Sequence, residues 1–243
     1  MDVGIIGYGF VGRATHRSIQ TYRSKHEVSI FDPAYMNSDL DAVKKTEICF
    51  ICVPTPTRER QDLSALEDAL KSLDRYEGLV VIKSTILPIT WDYINMRFHH
   101  LNLMVAPEFL SQHNPYYPQE HLLGVKDLFQ AELYDRLLPG GKITDPRCAC
   151  MIKYVHNCFG ALKVSFFHEI FETCQKERIS YREMLRLLLQ ITDHIGKTYT
   201  TPFLDGKPGF GGACFPKDVK AFQQQYSLLS LAAAENLNKS WRP

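Results

Sequence analysis

A doubly wound α/β sheet followed by a smaller all-helical region is the fold class this sequence predicts, and three observations carry it. Short apolar runs alternate with amphipathic stretches from residue 1 to residue 146. Those runs are apolar throughout rather than at every second position, as strands of a parallel sheet covered on both faces must be. From residue 147 onward apolar residues recur at three- and four-residue steps instead, the spacing of helix faces. The expected division is therefore 1–146 and 147–243, after turn signals at 139–141 and at Asp145-Pro146.

Strands are expected at 3–6, 28–31, 48–53, 79–82 and 103–105, separated by helices at 11–22, 63–73 and 90–99. Strand–helix–strand repetition at this spacing is what parallel crossovers require. A strand at 121–125 and a helix at 127–138 complete the sheet. Residues 148–176 read as one long helix. Its buried face is expected to carry Met151, Ile152, Val155, Phe159, Leu162, Phe166, Phe167, Ile170 and Phe171. A helix at 181–195, a Gly- and Pro-rich loop at 200–216 and a helix from Asp218 to the end close the chain.

The 243 residues hold 28 basic against 27 acidic side chains, with 45% hydrophobic and 23% charged. That balance excludes a disordered chain. It also supplies no field to gather nucleic acid or anionic lipid, so neither is an expected partner. No apolar run is long enough to span a bilayer, and no signal peptide is expected at the start. The 7 cysteines are odd in number and lie inside apolar segments, which suits a reducing, cytoplasmic setting. Cys49 and Cys52 form a CxxC, but three-apart residues on a strand face opposite ways. With no second pair at zinc spacing, no metal site is expected. Cys148, Cys150, Cys158 and Cys174 read as core thiols too.

Gly7, Gly9 and Gly12 stand in GxGxxG spacing, after a strand and before a helix. The first permits a tight turn, the second a close approach to a pyrophosphate, and the third helix–strand packing. The helix start offers N–H groups to the phosphates. Asp32 ends the next strand, 20 residues beyond Gly12, where a carboxylate accepts from ribose hydroxyls and repels a 2′-phosphate. A Rossmann-type domain binding NAD in preference to NADP follows.

The segment Pro208 to Asp218, PGFGGACFPKD, brings backbone close to something bulky and then presents Cys214 at a helix start beside Lys217. Helix start and lysine favour a thiolate nucleophile. A structural cysteine in a glycine turn is the equal alternative on these residues alone.

GFGGACFPKD resembles the catalytic-cysteine motif of the UDP-glucose/GDP-mannose dehydrogenase family. GYGFVG, CVPTPT at 52–57, KSTILP at 83–88, APEFL at 106–110 and MIKYVHNCF at 151–159 resemble its other motifs, in order. The resemblance implies NAD-dependent, two-step oxidation of a nucleotide sugar at C6, UDP-glucose first among them. It makes Cys214 the residue that forms the thiohemiacetal and thioester. Lys153 and Asn157, one helical turn apart, would stabilise alkoxide and oxyanion, and Asp218, Glu108 and Thr85 would position water and serve as base. Tyr8, Phe10 and Val11, with the three glycines, Asp32, Val53, Pro54, Thr55, Thr85, Gln112 and Lys217, would contact NAD. Glu108, Phe109, Leu110, Lys153, Asn157 and Gly211 would line the sugar.

The pattern departs from the family at Gln112, where a glutamate is usual, and at His194-Ile195-Gly196, where the family reads Arg-Ile-Gly and that arginine reaches substrate in a neighbouring subunit. The family's further α/β domain has no counterpart before Pro243, so a truncated form is expected. The resemblance also implies a homodimer through the helical region. Two other readings stand beside the enzyme: a catalytically idle NAD-binding protein that pairs with another chain, and a dehydrogenase of simpler hydroxy acids. The latter leaves the cysteine loop unexplained.

Overall fold

The apolar runs become β1 (Val3–Ile6), β2 (Val28–Phe31), β3 (Ile48–Ile51), β4 (Leu79–Ile82), β5 (Asn102–Val105), β6 (His121–Gly124) and β7 (Gly141–Thr144). Between them lie α1 (Phe10–Tyr22), α2 (Leu40–Val43), α3 (Ser64–Ser72), α4 (Pro88–Arg97) and α5 (Leu128–Asp135). A computed structural model describes residues 1–22, 26–109 and 121–242. They form two compact units, Met1–Pro56 with Gln61–Lys153, and Thr57–Arg60 with Tyr154–Pro243.

In the first unit the strand order is β2-β1-β3-β4-β5-β6-β7. The five strands β1 to β5 are parallel, with Val3 opposite both Val28 and Ile48. β1, β3 and β4 are buried at every position, which explains their unbroken hydrophobic text. Alternate residues feed two cores. Cys49, Ile51, Val80 and Ile82 enter one, and Ile48, Phe50, Leu79 and Val81 the other. Cys52 packs against that second core, so the CxxC thiols do face opposite ways.

The sheet is not parallel throughout. β6 meets β5 antiparallel at Val105 and Gly124, and β7 then runs parallel to β6. Apolar patterning does not reveal β7, because this edge strand is nowhere fully buried and lacks an apolar run. Nor does it reveal α2, a single turn capped by Asp39.

In the second unit, α6 (Pro146–Glu177) continues from the first, followed by α7 (Tyr181–Ile191), α8 (Phe215–Tyr226) and α9 (Leu229–Trp241). Four expectations need correction. The helical region also contains a hairpin, β8 (Phe203–Leu204) with β9 (Lys207–Pro208), turning through Asp205 and Gly206, both at positive φ as a type I′ turn requires. The last helix is two, broken where Ser227 adopts φ 53 and Leu228 is extended. The face of α6 also differs in part, although Phe167 is buried as expected. Ile152, Val155, Phe159 and Phe166 are 40%, 52%, 65% and 57% exposed, while Tyr154, Asn157, Cys158, Ala161 and Val164 are buried. The inward face is made largely of small and polar residues. A Cβ on Gly160 would lie 2.7 Å from the Phe215 ring, and Tyr154 stacks on Phe222 at 5.2 Å. Cys148, expected in the core, is exposed.

Candidate active site

The glycine turn closes the first unit's functional edge. Gly7 has φ 89, and a Cβ there would lie 2.9 Å from the Cys52 backbone. A Cβ on Gly12 would collide with the Gly7 carbonyl, whereas nothing lies within 4 Å of one on Gly9. The first and third glycines are thus fixed by the protein itself, and the second faces open room at the start of α1. That is the cradle a pyrophosphate needs.

Asp32 stands beside it at the carboxyl end of β2. Its Oδ2 accepts from Tyr8 N at 2.6 Å and its Oδ1 from Ala34 N at 2.8 Å. Each carboxylate oxygen retains a second lone pair for a ribose hydroxyl. The Tyr8 hydroxyl meets His16 Nδ1 at 2.7 Å, and its ring packs 4.9 Å from Tyr35. Burial raises the Tyr8 phenol and lowers His16. Phe10 opens α1 half-exposed, and Val11 is half-buried.

The ends of β3 and β4 are stapled together. Thr55 Oγ1 and Gln61 Nε2 donate to the Thr85 carbonyl at 2.7 and 3.0 Å, and Ser84 Oγ donates to the Val53 carbonyl at 2.7 Å. Val53, Pro54, Thr55 and Thr85 therefore form one rim.

Beyond β5, Glu108 is 8% exposed and pairs with the Lys83 ammonium at 3.2 Å. Lys83, which opens the KSTILP motif, is the partner of Glu108 that sequence reasoning did not single out. A lysine directly after the fully apolar strand β4 is the signal available. Lys153 is buried, with its ammonium 5.0 Å from the Phe109 ring centroid. Leu110 and Gln112 lie outside the described residues.

The second unit carries the cysteine. Cys214 is exposed at the N-cap of α8, ahead of Pro216. Asp218, 1% exposed, donates its backbone N–H to the Cys214 carbonyl at 3.1 Å. Its Oδ2 accepts from Asn157 Nδ2 and its Oδ1 from the Lys217 ammonium, both at 2.6 Å. Lys217 is thus engaged with a carboxylate, not poised alone beside the thiol. Burial, with Asp218 nearby, pushes the Cys158 thiol up to about 12. Tyr199, which no motif singles out, holds φ 61 and packs its ring 5.1 Å from Phe215. Burial raises its hydroxyl, helped by the nearby Cys214. Gly211 lies against the Arg242 guanidinium. Lys163 donates to the carbonyls of Ile195 and Gly196, and the His194 side chain is 84% exposed.

The sequence-predicted residues therefore gather as two groups, one in each unit. α6 carries Lys153 at the end of the first and Asn157 at the start of the second.

Comparison with known proteins is consistent from end to end. Residues 34–137 match the family model described as UDP-glucose/GDP-mannose dehydrogenase family, NAD binding domain, and 147–240 match that family's central domain. A UDP-glucose 6-dehydrogenase of Rickettsia bellii is 32% identical over 222 residues, spanning 83% of this chain and 49% of the relative. The structure of a UDP-glucose dehydrogenase from Pyrobaculum islandicum superposes with a TM-score of 0.81 at 23% identity, covering 98% of this chain and 67% of that one. A 3-hydroxyisobutyrate dehydrogenase of Mycobacterium tuberculosis shares the fold at a TM-score of 0.71 and 17% identity, over 98% of this chain and 92% of its own. The chain spans about half the length of the curated relatives it matches. NAD is the cofactor, and the glycine turn and Asp32 fit it.

Proposed function

The chain belongs to the UDP-glucose/GDP-mannose dehydrogenase family, and from that premise we propose that it oxidises a nucleotide sugar, UDP-glucose first, at C6 to the uronic acid. The observation that carries the reading is Cys214 at the start of α8, backed by the buried Asn157–Asp218–Lys217 network.

Gly7, Gly9 and Gly12 receive the pyrophosphate and Asp32 the adenosine ribose. NAD supplies the hydride acceptor, one molecule for each of the two oxidations. The Cys214 thiolate adds to the aldehyde carbon left by the first, giving a thiohemiacetal whose oxygen takes a proton. Loss of a hydride and that proton leaves a thioester. Water adds to the thioester carbon, and the thiolate departs as the carboxylate forms. Lys153 and Asn157 offer an ammonium and an amide to the oxygen at each stage. One carboxylate, Glu108 or Asp218, takes the proton of the attacking water, and Thr85 orients it. The decisive experiment measures NADH with a panel of UDP- and GDP-sugars. Two NADH per sugar consumed supports the reading, and no NADH from any sugar overturns it.

A homodimer belongs to the same proposal. Val155, Phe159 and Phe166 form an exposed apolar stripe on α6, and α7 buries no residue, leaving Leu187 and Ile191 open at 44% and 81%. Such surfaces mark interfaces, and a two-fold pairing is the commonest closure. Seven free thiols support a cytoplasmic setting. No helix among the described residues is long and apolar enough to cross a membrane.

A further inference from the structure

The glycines before Cys214 have an intramolecular neighbour. A Cβ on Gly209, at φ 68, would collide with Asn238 Oδ1 and crowd the Trp241 ring, and one on Gly211 would collide with the Arg242 guanidinium. The bulky group this loop admits is the far end of α9.

The contacts are specific. Arg242 Nε donates to the Pro208 carbonyl at 2.5 Å. Its Nη2 reaches the carbonyls of Leu204, Lys207 and Gly209 at 2.5, 3.1 and 3.3 Å. Asn238 Oδ1 accepts from Phe210 N at 2.8 Å. A guanidinium presents its donors in a fixed plane, so one side chain can gather several carbonyls where an ammonium cannot. The entrance to the hairpin is held separately. His168 Nδ1 donates to the Pro202 carbonyl at 2.7 Å, and its ring packs 4.4 Å from Trp241.

Only Gly211, Gly212 and Ala213 stand between the Phe210 anchor and Cys214. On the other side α8 begins at once, with Phe215 buried and Asp218 fixed by Asn157. The thiol therefore hangs on a short span between two anchors, one made by α8 and one by α9. Three residues of free chain reach about 10 Å, so an unanchored loop could carry the sulfur well away from any reacting carbon.

We infer that Arg242, seconded by Asn238, is a positioning residue for Cys214: it touches no reacting atom and sets where the thiol stands. The role in turnover rests on the proposed reaction; the clamp itself does not.

The test uses the full chain as Arg242→Met, Arg242→Lys and Asn238→Ala. Two readouts need no substrate: amide exchange over 204–214 and the rate at which iodoacetamide alkylates Cys214. Exchange there is expected to quicken by about tenfold or more in both Arg242 variants, and the alkylation rate to change with it, while exchange within α6 and α8 stays put. Arg242→Lys is not expected to rescue, since charge alone cannot bridge the carbonyls. With UDP-glucose, kcat should fall while the KM for NAD holds, and hydroxylamine should trap more aldehyde. Unchanged exchange and alkylation in a folded Arg242→Met would overturn the inference. If that variant fails to fold, Asn238→Ala, which loses a single bond, decides the question by the same two readouts. Absence of NADH from the native chain would remove the proposed reaction and leave the exchange result to judge the clamp.

Discussion

Asn157 on α6 donates its amide to Asp218 on α8 at 2.6 Å, with both side chains buried. The bond ties the long helix to the turn that presents Cys214.

Asn157→Leu should leave a buried carboxylate short of a donor. Removing one partner of a buried bond to a charged group costs about 1–3 kcal/mol. Denaturant unfolding should register that loss with an unchanged slope, and Asp218→Asn should cost less stability while lowering kcat further.

Asp32 predicts the nucleotide preference. Calorimetry should find NAD bound more tightly than NADP by about tenfold or more. In Asp32→Ser the two affinities should converge. NADP equal to NAD in the native chain would detach Asp32 from the ribose.

Cys214→Ser should abolish acid formation while a slow first oxidation persists, seen as NADH without uronic acid. Full acid production by this variant would return the loop to a purely structural role.

The buried thiols give a pH prediction. Burial raises Cys150 and Cys158 from 9.0 to about 12. The folded chain therefore holds these protons where the unfolded chain releases them. Their contribution to stability is whole below about pH 9 and is lost as pH climbs toward about 12. Cys150→Ala and Cys158→Ala should flatten that alkaline decline. At pH 8 iodoacetamide should label the exposed Cys148 and Cys214 and spare these two.

Light scattering at micromolar concentration should give twice the chain mass. Phe159→Asp, at a side chain 65% exposed, should give a folded monomer whose melting point no longer depends on concentration. A native monomer, with or without NAD, would sink the dimer.

The glycine turn is legible in the sequence because each glycine answers a local steric demand that spacing alone encodes: Gly7 to Cys52, Gly12 to Gly7. Strand positions follow from burial on both faces. The face of α6 is not legible. Periodicity finds an apolar stripe but assumes that it points inward, and here the interior takes Lys153, Asn157 and Cys158. The β8–β9 hairpin hides for another reason: its Asp205-Gly206 turn is a plain signal, but strands of two residues are too short to show alternation. Arg242 is beyond the reach of spacing, because its partners lie more than 30 positions away and are backbone carbonyls, which leave no trace in residue type.

The antiparallel step between β5 and β6 has a further effect on how an ammonium reaches Phe109. Because β6 and β7 run against the first five strands, β7 ends level with the rim that holds the glycine turn. Its last residue, Thr144, lies opposite Gly124, which in turn lies opposite Val105. α6 starts just beyond that level, with Pro146 packed so closely on Gly124 that a Cβ would lie 2.7 Å from the proline Cα. The seven steps from Pro146 to Lys153 then advance about 10 Å along the helix. Lys153 then stands with its ammonium over the Phe109 ring. The number of residues between Pro146 and Lys153 sets that placement. One residue inserted there would turn the lysine by about 100° and empty the place it fills.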